Sequence, residues 1–261
     1  MRARLSCTRL TVAVTALLLV AAAAAPTVHD DVPGSVSTAA LALAPLPGAG
    51  GVAAPTVDAP DVVPRSSWDG AGTCPASDGG RTAPERVHLH HTHVPVVEAP
   101  AEVPGALQAI CRAHRQRGFD EIGYHYAVDP FGQVWQGRGP LPDDAGGKVR
   151  TGAHAQGFND GSVGVVLIGD FDVAPPTDAA LDATTELLAW LVDAHDLDPH
   201  ATVGAESTGG PATRFDEGAH VDLPAIAGHR DTGSGTSCPG EHLYALLPEL
   251  RDRVAERVAA A

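Results

Sequence analysis

From about residue 62 onward the apolar residues switch repeatedly between a period of two and a period of about 3.6, and that alternation restricts this part of the chain to an α/β domain. Strand-like runs are Arg86–Thr92, Gly123–Val128, Gln133–Gln136 and Val163–Ile168, with a further short one ending at Ala225–Ala227. Pro130 and Gly132 lie between the second and third runs and predict a hairpin. Helical spacing covers Pro104–Arg117, which puts Leu107, Ile110, Cys111 and His114 on one face. It recurs over Thr177–His195, where Leu181, Thr184, Leu188, Leu191 and Val192 share a face and Thr177 or Asp178 supplies the cap. A third helix, Glu241–Ala259, is expected to bend at Pro248. Residues 201–222, rich in Gly, Thr and Ala, read as a hairpin or a long loop. The expectation is a single domain, residues 62–261, with a central mixed β-sheet flanked by helices.

The chain before residue 62 is of a different kind. Arg2, Arg4 and Arg9 precede an apolar run from Leu10 to Val20, and Ala21–Ala25 offers an A-x-A cleavage site, so residues 1–25 read as a secretory signal peptide. The run falls short of the ~20 apolar residues that a membrane span needs, and no stable membrane insertion is expected after cleavage. Residues 26–61 are mostly Ala, Pro, Val, Gly, Ser and Thr with almost no aromatic content; they read as a disordered linker. The expected location is therefore secreted, extracellular or cell-wall associated, and the expected state is a monomer. A net charge of −15, more negative once the leader arginines go, argues against nucleic acid and against electrostatic docking on anionic surfaces. Cleavage also removes Cys7 and leaves Cys74, Cys111 and Cys238. In an oxidising compartment an odd count implies one disulfide and one cysteine with another task.

The stretch Val87–Val94, VHLHHTHV, places four histidines within six positions. In a strand, Val87, Leu89 and His91 point one way and His88, His90 and Thr92 the other. The apolar pair marks the buried face, so His88 and His90 are expected to face a cleft or solvent. Two imidazoles two residues apart can converge on one ion, although a histidine-rich surface strand without metal has the same pattern. The string also approaches the two-metal motif H-x-H-x-D-H of the metallo-β-lactamase superfamily through His88, His90 and His93. There Thr92 stands in place of the aspartate, and a hydroxyl does not replace that anionic ligand.

Other segments carry a wider match. Arg65-Ser-Ser-Trp68 precedes LHHT, and then come DEIGYHYAVDPFGQVWQGR (Asp120–Arg138), GAHAQGFNDGSVGVVLIG (Gly152–Gly169) and AGHRDTGSGTSCPGEHLY (Ala227–Tyr244). In this order and spacing they resemble the peptidoglycan recognition protein and type 2 N-acetylmuramoyl-L-alanine amidase family, over roughly Val62–Arg253. The resemblance implies an amidase/PGRP-like fold and a Zn2+ site made of His90 (from HHT), His229 (from GHRD) and Cys238 (from CPG). Cys74 and Cys111 are then left to form the disulfide. Two neutral imidazoles and one thiolate leave the site at a net charge of about +1, and three protein ligands leave a fourth position for water, the arrangement of a catalytic zinc.

The same resemblance implies that Tyr124 donates to the scissile carbonyl, that His154 and Asn159 line the substrate cleft, and that Thr236 lies beside the metal. His154 is expected to orient water or substrate or to shuttle a proton, and Thr236 to bind substrate or stabilise the transition state. His125, opposite Tyr124 in the strand, reads as a core histidine. The spacing from His229 to Cys238 is one residue longer than the family's usual gap, in the Gly- and Ser-rich TGSGTS. The implied activity is hydrolysis of the amide between N-acetylmuramic acid and L-alanine in peptidoglycan, with the muramyl peptide as partner. Two other readings are a peptidoglycan-binding module without hydrolysis and a zinc amidase acting on an amide outside the wall.

Overall fold

The structure, a computed structural model, describes residues 55–70, 72–77, 79–93, 97–139 and 147–261. The expected signal peptide and most of the expected linker lie outside the described residues. The strands are β1 (Val62–Val63), β2 (Arg81–Thr82), β3 (Arg86–His91), β4 (Tyr126–Val128), β5 (Val134–Gln136), β6 (Val149–Arg150), β7 (Ser162–Leu167), β8 (Thr202–Glu206), β9 (His220–Pro224) and β10 (Ile226–Gly228). The helices are α1 (Val103–Gln116), α2 (Asp178–Ala194), α3 (Glu241–Ala245) and α4 (Leu247–Ala259). Six strands form a mixed sheet in the order β1-β5-β4-β7-β3-β10, parallel throughout except for the β4–β5 hairpin. The predicted hairpin around Pro130 and Gly132 is this pair.

Both faces of the sheet are covered, so all six residues of β3 and of β7 are buried. Val87 and Leu89 join Val163, Val165 and Leu167 in a core against α2 and α4, which supply Leu187, Leu188, Leu191, Leu250 and Val254. On the other face Ala127, Val166 and Ile168 pack with Trp68 and with Leu107, Ile110 and Cys111 of α1. His88 and His90 do lie on the side away from Val87 and Leu89, but neither faces solvent: both are fully buried. That face carries a second layer of loops, which period-two patterning cannot reveal.

Capping and turn chemistry set the helix ends. The Thr177 hydroxyl accepts the N–H of Ala180 at 3.1 Å and so caps α2. Pro104 sits in the first turn of α1, where its missing N–H is no loss. The expected third helix is interrupted at Leu246 rather than bent, and Pro248 lies in the first turn of α4 for the same reason. Residues 201–222 hold most of an antiparallel pair, β8 with β9, joined by a long loop. The strand expected from Gly123 begins only at Tyr126. Gly123 approaches Ala153 so closely that a Cβ there would lie 2.1 Å from the Ala153 carbonyl oxygen, and this contact diverts the chain before the ladder starts. Packing also begins upstream of the expected boundary at 62: Val57 is buried in the core, and its N–H donates to Asp193 Oδ2 at 2.8 Å.

Cys74 and Cys111 form a disulfide, with Cα atoms 6.1 Å apart and a sequence separation of 37. It pins the loop after Trp68 to α1. Closing such a loop in the unfolded chain is worth about 4 kcal/mol on the chain-entropy account. Cys74→Ser with Cys111→Ser is expected to lower the unfolding free energy by about that amount in urea titration. An unchanged midpoint would show that the bond does not constrain the unfolded chain.

Candidate active site

The site is built where three parallel strands end. Gly228 of β10 sits opposite Leu89 of β3, so His229, one residue further, comes up beside His90. Cys238 returns from a loop stitched onto the same segment. The Arg230 N–H donates to the Cys238 carbonyl at 2.7 Å, and the Arg230 guanidinium donates to the Ser237 carbonyl at 2.9 Å. The hydroxyl of Thr236 accepts the Cys238 N–H at 3.1 Å. The segment between His229 and Cys238 bends at Ser234 and Gly235, with Gly235 in the left-handed region at φ 63°. With that spacing, Cys238 Sγ lies 3.6 Å from His90 Nδ1. One donor atom from each of His90, His229 and Cys238 falls within 4.8 Å of the others.

These three residues suit a zinc ion chemically. Burial holds the His90 imidazole well below its ordinary pKa, aided by His229 and His154, and burial lowers His229 to about 4, so both rings are neutral at pH 7. Burial also pushes the Cys238 thiol up to about 12. A thiolate in such a place needs a cation beside it, and two neutral nitrogens with one thiolate form the donor set that zinc prefers.

His90 presents Nδ1 to Cys238 and Nε2 to His154, whose Nδ1 is 3.1 Å away. His154 Nε2 in turn reaches the Ser162 hydroxyl at 3.5 Å, and that hydroxyl donates to the Phe158 carbonyl at 2.8 Å. His154 fits here because Gly164 has no side chain: a Cβ there would lie 2.4 Å from the imidazole. The Asn159 Oδ1 accepts the N–H groups of His154 and Ala155, both at 2.8 Å. Asn159 thus braces the loop that presents His154, and its amide oxygen is already committed to the backbone. Sequence matching placed these residues in the cleft, which they do line, but it did not reveal these internal contacts.

Tyr124 is partly buried, with its ring 5.0 Å from that of His90 and 5.2 Å from that of His114. Burial, and secondarily the neighbouring Cys238, raise its phenol above the ordinary tyrosine value, so the hydroxyl stays protonated. The cleft beside it, about 400 Å³, is lined by Tyr124, His154, His229, Arg117, Phe119 and Gln156 among others. A second cavity of about 290 Å³ runs along α1 and shares His114, Arg117 and Tyr124 with the first. Arg117 and Phe119 follow α1 and carry no motif that marked them. His114 was readable only as part of a buried helical face.

His125 is a satisfied core histidine. Its Nδ1 accepts the Gly164 N–H at 2.9 Å and its Nε2 donates to the Arg150 carbonyl at 2.6 Å. His114 Nδ1 likewise accepts the Gly123 N–H at 2.9 Å. Protonation would set a ring N–H against a backbone N–H in each case, and burial further lowers both groups to about 4 from 6.5. The unfolded chain therefore takes up protons as pH falls through 6.5 while the folded chain does not, until about 4. Stability is expected to be full above pH 6.5 and to fall between 6.5 and 4; urea midpoints at pH 7 and pH 5 check this, and equal midpoints would contradict it.

The fold is an α/β domain whose mixed sheet is covered on both faces and carries a His–His–Cys cluster beside a cleft that His229 also lines. Residues 80–241 match the family described as N-acetylmuramoyl-L-alanine amidase. The chain belongs to that family. Among curated relatives, peptidoglycan-recognition protein SD of Drosophila melanogaster is 30% identical over 197 residues, covering 72% of this chain and 84% of that protein. The N-acetylmuramoyl-L-alanine amidase of Sus scrofa is 28% identical over 206 residues, covering 77% of this chain and 29% of that protein. Among solved structures, Drosophila PGRP-SD superposes with a TM-score of 0.54 at 26% identity, over 74% of this chain and 95% of that one. A tyrosine-to-phenylalanine mutant of Drosophila PGRP-LB, solved in complex with tracheal cytotoxin, superposes with a TM-score of 0.51 at 26% identity, over 70% of this chain and 90% of that one.

Proposed function

We propose that this chain is an exported zinc-dependent N-acetylmuramoyl-L-alanine amidase, which hydrolyses the amide between N-acetylmuramic acid and the L-alanine of the peptidoglycan stem. Residues 1–25 serve as its signal peptide and residues 26–61 chiefly as a spacer. The reading rests on one observation above all: His90, His229 and Cys238 converge within 4.8 Å of one another, beside a cleft that Tyr124 also lines. Family membership and a PGRP-LB structure solved with tracheal cytotoxin support the substrate class.

In this mechanism His90 Nδ1, His229 and Cys238 Sγ would hold the ion, which when bound would supply Lewis acidity and an activated water near neutral pH. The muramyl peptide lies in the cleft with its scissile carbonyl toward Tyr124. The phenol, fixed between the rings of His90 and His114, donates a hydrogen bond to the carbonyl oxygen as negative charge grows there. His154 acts as a positioning residue: it accepts the Nε2–H of His90 and so keeps Nδ1 free for the metal. Thr236 holds the Cys238 backbone and thereby aims its sulfur. His154→Ala is expected to weaken zinc binding about 10- to 100-fold, the usual loss for such outer partners. Competition with a chromophoric chelator measures it, and unchanged affinity would remove His154 from this role.

Several relatives are named as recognition proteins, which favours a module that binds peptidoglycan without cutting it. Free N-terminal alanine released from cell-wall sacculi distinguishes the two. Its appearance is expected with the zinc-loaded chain and its absence supports the binding module.

A further inference from the structure

We propose that His91, His93, Asp170 and Asp172 form a second divalent-metal site, separate from the His90 cluster and selective for a borderline transition ion such as Zn2+. One donor atom from each of the four lies within 4.8 Å of the others. His93 Nδ1 stands 3.4 Å from Asp170 Oδ1 and 4.0 Å from Asp172 Oδ2, and His91 Nδ1 stands 4.0 Å from Asp170 Oδ1. Four ligands at about 2.0–2.1 Å around a tetrahedral ion sit about 3.4 Å apart, so the His93–Asp170 pair already has that spacing, the two 4.0 Å pairs need to close by about 0.6 Å, and no pair needs to close by more than about 1.4 Å. Two carboxylates balance the charge of a divalent cation. Two imidazole nitrogens favour zinc or cobalt over calcium and magnesium, which require oxygen ligands throughout.

The frame is built before any ion arrives. His91 ends β3 on the face opposite His90, and Asp170 and Asp172 follow the neighbouring β7. The two loops are joined by backbone bonds from Thr92 N–H to the Leu167 carbonyl at 3.1 Å and from His93 N–H to the Gly169 carbonyl at 3.0 Å. His93 is held in the left-handed region at φ 62°, which turns its ring toward the two aspartates. Asp172 is oriented from behind, accepting the Glu241 N–H at Oδ1 (2.9 Å) and the Ser237 hydroxyl at Oδ2 (2.6 Å). The contact an ion would displace is the Phe171 N–H to His91 Nδ1, at 3.2 Å. His91 is nine-tenths buried whereas His93 is exposed, giving a fixed inner ligand and an open side for entry. Through Ser237 the site adjoins the segment that carries Cys238.

Cobalt(II) titration of the full chain, with elemental analysis after dialysis against Zn2+, tests the site without reference to activity. Among the described residues Cys238 is the one free thiol, so metal bound there gives a thiolate charge-transfer band and the two sites are read separately. His93→Ala with Asp170→Asn is expected to bind one equivalent fewer than the native chain and to keep the thiolate band unchanged. Cys238→Ser is expected to lose that band and to retain one equivalent with nitrogen and oxygen ligands. Equal equivalents in the native chain and in His93→Ala/Asp170→Asn would overturn the proposal, as would a Cys238→Ser chain that binds none.

Discussion

Cys238→Ser is expected to abolish peptidoglycan hydrolysis while leaving the fold intact. The substitution exchanges the sulfur for a hydroxyl that stays protonated and is a poor ligand for zinc. Two imidazoles alone are then left to hold the ion. Loss of the ion removes several kcal/mol of charge stabilisation, on the order of a thousandfold or more in rate. The fold should survive because the Cys238 backbone bonds, from Arg230 N–H to its carbonyl and from its own N–H to Thr236, do not involve the sulfur. Metal analysis should show loss of the equivalent that carries the thiolate band, with an unchanged circular dichroism spectrum. Full activity in Cys238→Ser would remove this cysteine from the reaction.

The second large effect is expected at Tyr124. Tyr124→Phe keeps the ring packed between His90 and His114 and removes only the hydroxyl. Loss of one such donor typically costs ~10² to 10³ in kcat. The signature is a fall in kcat with little change in KM and no change in zinc affinity, because the phenol acts as the carbonyl gains charge and not when substrate binds. An equal loss in zinc affinity would mean that the tyrosine supports the metal cluster and not the substrate carbonyl.

The sheet and the helices were readable because their apolar periods are long and regular, as at Val87 and Leu89 against Leu188 and Leu191. The convergence of His90, His229 and Cys238 was readable only through motifs spread over almost 150 residues; the dense histidine string alone pointed equally to His88, which is as buried as His90 but lies outside the cluster with His229 and Cys238. Side-chain roles were less legible, since they depend on which hydrogen bond a group makes. Asn159 matches a cleft position and Thr236 a position beside the metal, yet in the structure the Asn159 oxygen accepts two backbone N–H groups and the Thr236 hydroxyl accepts one. The meeting of His93 with Asp170 and Asp172 depends on the register of β3 on β7, where His91 pairs with Leu167, and no local pattern encodes that pairing. Arg117 and Phe119 reach the cleft because α1 ends beside Tyr124, a packing outcome and not a motif.

The most direct measurement is mass analysis of purified peptidoglycan incubated with the native chain, first stripped of metal by a chelator and then reloaded with zinc. The account predicts free stem peptides beginning with L-alanine, together with glycan chains whose N-acetylmuramic acid has lost its peptide, only after zinc is restored. Peptidoglycan that is bound but left uncut by the zinc-loaded chain, or cut at any bond other than this amide, would contradict it.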